Sequence, residues 1–89
     1  MDKEVLAELR NVMSQRRDAD TRYQEAGKKL EELETLQTQT VINLSDAQYR
    51  EIAKAVDEQQ KVVEEVFAEL HNAEFRALDL VEELLDSIL

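Results

Sequence analysis

Apolar residues recur along the chain in alternating steps of four and three. In the first half they form two interleaved rows. Leu9, Tyr23, Leu30 and Leu44 occupy one row, with Arg16 and Gln37 interrupting it. Val5, Val12, Ala19, Ala26, Leu33 and Thr40 occupy the other, and Leu6, Met13 and Leu36 widen the stripe in places. This is coiled-coil periodicity, and it predicts a long helix whose seam faces a second helix. The second half repeats the pattern through Tyr49, Ile52, Val56, Gln59, Val63, Val66, Leu70, Ala73, Ala77, Leu80 and Leu84.

Between the two patterns lies the stretch TVINLSDAQYRE, residues 40–51. Thr38, Thr40, Val41 and Ile42 are β-branched and weaken a helix. Asn43 tolerates the left-handed conformation that ends many helices. Ser45 followed three residues later by Gln48 forms a capping box, in which each residue satisfies a free backbone amide of the other. Leu44 and Tyr49 have the spacing of a hydrophobic staple across that cap. Asp46 suits the positive end of the new helix. The expected organisation is one domain over residues 1–89, with a helix at about 2–41, a turn at about 42–45 and a helix at about 46–88. So short a link makes the helices antiparallel neighbours. Folding there brings Leu33 near Val56, Tyr23 near Val66 and Val5 near Leu84.

Beyond residue 62 the apolar surface becomes much wider than one seam. Val62, Phe67, Phe75, Leu78, Val81, Leu85, Ile88 and Leu89 lie outside the row that meets the first helix. One partner helix covers one stripe, so this surface asks for another neighbour. The fold class expected is therefore all-α: a long antiparallel helical hairpin, about 60 Å in length at 1.5 Å per residue, that pairs with a second copy into a four-helix bundle. Val62, Val66, Phe67, Phe75, Leu78, Val81, Leu85 and Ile88 are the expected oligomer or partner interface. The alternative is a three-helix bundle within one chain, broken near Gly27, which costs roughly 1 kcal/mol against alanine inside a helix.

Composition supports the helical reading. The 89 residues include no proline and one glycine, 36% are charged and 4% aromatic. Ala, Leu, Glu, Gln, Lys and Arg dominate, and these are strong helix formers. Absence of cysteine leaves no disulfide to stabilise so small a chain and fits a reducing compartment. No run of about 18 apolar residues is present to span a bilayer. MDKEVLAELR lacks the apolar core of a secretory signal. These features together suggest the cytoplasm.

The net charge is −10 and it is unevenly spread. Residues 1–44 hold 7 bases and 9 acids, whereas residues 45–89 hold 4 bases and 12 acids. The second half thus repels nucleic acid and anionic lipid. Arg16, Arg17 and Arg22 form the main basic cluster, but Asp18 and Asp20 interrupt it, so it reads as a solvated face rather than a phosphate-binding stripe. Glu25 with Lys29, Asp18 with Arg22 and Asp57 with Lys61 have the favourable order for pairs within a helix.

Catalytic chemistry finds little to work with. His71 is the single histidine, and Ser14, Ser45 and Ser87 lack an apparent base and orienting group. A di-iron bundle needs Glu three residues before His, twice over, and His71 has no such partner. No metal, cofactor or glycine-rich phosphate loop is expected. Instead, Arg16, Gln37, Gln59 and His71 are read as a polar layer in the seams that sets register and association. Arg16 falls roughly opposite His71 and Asn72, with Glu69 one turn away.

No motif is specific to a family of helical hairpins, so function follows from shape and charge alone. The expectation is a small acidic non-catalytic interaction protein, an adaptor, assembly scaffold or chaperone-like subunit, acting by helix–helix pairing with protein partners. The alternative is an acidic regulator whose second-helix carboxylates resemble a phosphate array and occlude a basic site on a nucleic-acid-binding enzyme. The segment FRALDLVEELLDSIL, residues 75–89, could likewise dock into a partner's groove as an amphipathic helix.

Overall fold

A computed structural model describes residues 2–39 and 45–89. It contains two helices, α1 (Asp2–Gln39) and α2 (Asp46–Ile88). They lie antiparallel and contact each other along their length, in a body of 65 × 16 × 14 Å. The molecule is an all-α helical hairpin. The expected end of α1 near residue 41, Asn43 and Leu44, one half of the staple with Tyr49, fall on residues 40–44, outside those described.

The start of α2 follows its capping box. Ser45 is extended, at φ −67° and ψ 159°. The Gln48 amide donates to Ser45 Oγ at 3.3 Å, and the Ser45 amide donates to Gln48 Oε1 at 3.1 Å. Two amides left unpaired by helix geometry are satisfied in this way. In α1, the threonines near the end do not break the helix. Thr35 and Thr38 donate their hydroxyls to the carbonyl oxygens of Glu31 and Glu34, at 2.9 and 3.0 Å. That back-bonding accommodates their polar groups inside the helix.

A break near Gly27 does not occur, and the three-helix arrangement is overturned. Gly27 lies inside the continuous α1 without a positive φ. Nothing lies within 4 Å of where its Cβ would stand, so it marks no close helix crossing either. A helix of 38 residues absorbs the roughly 1 kcal/mol cost of one glycine through the packing of its other residues.

The seam follows the heptad rows. Val12, Ala19 and Ala26 of α1 are buried, as are Gln59, Val66, Ala77 and Leu80 of α2. Leu80 is fully enclosed, at 0% exposure. It packs with Val12 and Ala77, and Val5, Leu9 and Ala73 surround them. Tyr49, expected in the seam, is instead 41% exposed.

The core is narrow for a chain of this mass. Accessible surface is 7042 Å², against about 5,400 Å² for a compact monomer of 10.3 kDa. The radius of gyration is 19.7 Å, where a globular chain of this length would have about 12 Å. Two helices share one stripe, and most of each cylinder faces outward.

Candidate functional site: the two sides of the hairpin

Side chains flanking a heptad seam fall on two opposite sides of a hairpin. Here the two sides differ in chemistry. One is charged. Arg22 Nη2 lies 2.7 Å from Glu69 Oε2, and Arg76 pairs with Glu8. Arg22, Glu69 and Arg76, with Gln15 and Asn72, line a polar hollow of about 380 Å³. The hydrogen bond from Arg76 to Glu8, then the charge of Glu8, raises the guanidinium's already high pKa, and Asp79 and Glu83 add to this. Both ion pairs are exposed to solvent, which screens them.

The other side is apolar and is concentrated toward the open end. Leu9, Met13, Ala77, Leu78 and Val81 line a groove of about 580 Å³, and Arg16 and Glu74 close one end of it. Arg16 Nε lies 3.4 Å from Glu74 Oε1 across the seam. Phe67, His71, Glu74, Leu78, Val81, Leu85 and Ile88 recur at steps of four and three, and the first six each directly follow a seam residue. They form a second heptad stripe, turned toward this side. Leu78 is 60% exposed and Ile88 74%.

An aromatic ladder occupies the inner end of this stripe. The rings of Tyr23 and Phe67 are 5.5 Å apart, tilted by 43°. Phe67 meets the His71 ring edge-on, with centroids 4.4 Å apart and planes at 71°. His71 in turn lies 5.9 Å from Phe75. Aromatic edges and faces attract in such geometry, and the i,i+4 spacing along α2 brings the rings together.

The expected interface residues are thus sorted. Phe67, Leu78, Val81, Leu85 and Ile88 share the apolar side, and Phe75 stands at its outer edge. Val62 is exposed, but its seven-residue relation to Glu69 and Arg76 places it on the charged side. Val66 is not available to a partner, because it is 8% exposed within the hairpin seam. Leu6 and Met13 of α1 belong to the apolar side and were not assigned to it from sequence. Their seven-residue spacing, one step past Val5 and Val12, carried that signal.

The expected polar layer does not form as one unit. Gln59 is buried and donates from Nε2 to the Ala26 carbonyl oxygen at 3.0 Å. Arg16 meets Glu74 rather than His71 and Asn72, and Glu69 is taken by Arg22. The register that pairs Tyr23 with Val66 and Val5 with Leu84 puts Ala73 level with Arg16, and Glu74 is the next residue, so its carboxylate is the one within reach. His71 lies in the aromatic ladder, and Gln37 sits half-buried in the seam near the turn end. Among the described residues, the ion pair within a helix is Lys54–Glu58 at 4.0 Å, and Arg22 reaches across to α2 instead of back to Asp18.

Among the described residues, no group of three or more His, Cys, Asp or Glu side chains is placed to hold a metal ion. None of the described helices is long and apolar enough to cross a membrane. Comparisons with protein families, with curated proteins and with solved structures found no match to this chain.

Proposed function

We propose that this protein is a small acidic interaction protein of the cytoplasm that works by helix–helix pairing, as an adaptor, assembly scaffold or chaperone-like subunit. The working surface is the apolar side of the open end, and the first partner is a second copy, giving a four-helix bundle. The observation that carries this reading is the exposed heptad stripe from Phe67 to Ile88. Monomeric proteins seldom leave a contiguous apolar patch larger than a few hundred Å² in water. No catalytic group is required for this activity, because apolar burial supplies the affinity.

A second reading is favoured by the exposed acids of α2. Glu51, Glu58, Glu65, Asp79 and Asp86 stand at multiples of seven residues and form a row along its outer face. Such a row could occupy a basic site on a nucleic-acid-binding enzyme. Salt separates the two readings. Association through the apolar side persists from 0.1 to 1 M sodium chloride, measured by sedimentation equilibrium, since screening acts on exposed charge and not on apolar burial. Replacing Glu51, Glu58, Glu65 and Asp79 of that outer row by their neutral amides leaves it intact. A chain that stays monomeric, and whose binding to a basic nucleic-acid-binding enzyme falls steeply with salt or with the four neutral substitutions, would favour the acidic reading instead.

A further inference from the structure

We infer that the second copy packs against the apolar side with its turn at the same end, so that α1 of each chain lies over α2 of the other. This rests on the self-association proposed above and adds its geometry.

Area supports a second copy as the occupant. Leu6, Met13, Phe67, Leu78, Val81 and Leu85 are 37–60% exposed, and Phe75 and Ile88 more so. With whole-residue areas of roughly 150–250 Å², these eight leave on the order of 700 Å² of apolar surface per chain, close to the ~800 Å² each partner contributes to a stable interface. A matching patch of that size is what a two-fold interface supplies.

Charge selects the orientation. Lys3, Arg10 and Arg17 are exposed and seven residues apart, and they follow the apolar side along the α1 edge. Beside the patch, the α2 edge of the same side carries exposed Glu82. Two hairpins stacked on this side have two symmetric arrangements. With turns at opposite ends, α1 lies over α1 and α2 over α2. If the two patches overlap there, the cationic edges face each other, and like charges so placed oppose association. If the hairpins overlap fully, each patch meets the turn end of the other chain, where Lys28, Glu31, Arg50 and Asp57 are exposed. With turns together, patch meets patch at the same level. Lys3 and Arg10 of one chain then flank Glu82 of the other, and Arg17 comes over Phe75, whose ring face attracts a guanidinium.

The test places a spin label at exposed Ala47, through Ala47→Cys in a chain that has no cysteine of its own. Sedimentation establishes the dimer, and pulsed electron resonance reads the distance between labels. Turns together give about 30 Å, from helix spacings of 8–10 Å plus the label arms. Opposed turns give about 60 Å or more, since some 20 residues at 1.5 Å each separate the label from the centre of each hairpin. Arg10→Gln supplies a second readout, a several-fold weaker dimer with turns together and a tighter one where cationic edges meet. A dimer with labels at 60 Å or beyond, or one tightened by Arg10→Gln, overturns the orientation and leaves self-association standing. A monomer throughout the micromolar range overturns both.

Discussion

Gln59 reaches across the seam to donate its side-chain amide to the backbone carbonyl of Ala26, at 3.0 Å. The small Ala26 side chain leaves room for this contact, and the carbonyl has a second lone pair beyond the one used in its own helix. The bond fixes one level of α2 against one level of α1. Its contribution to stability is modest, because a carbonyl within a helix keeps a partner when the side-chain donor is lost. Gln59→Leu should therefore change the unfolding free energy by less than about 1 kcal/mol, read from urea denaturation at matched concentration. A loss above about 3 kcal/mol would mean that the bond holds far more of the fold than this.

Leu80 is the fully buried large side chain of the seam, packed on Val12 and Ala77. Leu80→Ala should cost about 2–5 kcal/mol, through lost apolar transfer and an incompletely closed cavity. Leu85→Ala, on the open side, should cost far less in a monomer and register mainly as weaker association. Denaturation curves at several protein concentrations separate these effects, because stability that depends on a partner rises with concentration. Equal effects of the two substitutions at every concentration would contradict the division between seam and open side.

Gly27 sits in an uninterrupted helix with free space around its Cβ position. Gly27→Ala should stabilise the protein by about 0.5–1 kcal/mol, by removing the conformational cost of glycine in a helix. Thermal unfolding followed by circular dichroism reads this as a raised midpoint. Destabilisation would show that a bend or a close contact at Gly27 is needed, and would restore the case for a break in α1.

Much of the fold was legible because the seam has a strict period. Every α1 residue assigned to the rows from Val5 to Gln37 is at least half-buried, and so is the α2 row from Ile52 to Leu84. The Ser45–Gln48 cap was readable because it is local and needs two residue types at one spacing. Partner choice among polar side chains was less legible. Arg16 and Arg22 each reach a carboxylate several ångströms along or across the neighbouring helix, so the pairs that form are set by side-chain length and crossing geometry as much as by register. The two sides of the hairpin were half visible. The wide apolar surface of α2 was evident, but Val62, Val66 and Phe67 are close in sequence and point to three different places around the helix. Leu6 and Met13 joined the patch only when α1 was placed beside it.

The sidedness of the hairpin is tested most directly by paired substitutions followed in sedimentation velocity. Leu78→Glu with Val81→Glu puts charge on the apolar side, and Gln15→Glu with Val62→Glu puts charge on the other. The first pair should leave a helical monomer of about 10.3 kDa, since two charges cannot be buried unpaired without large cost. The second pair should sediment as the unsubstituted protein does. Dissociation by the second pair and not the first, or by neither, would contradict an association surface on the side of Leu78.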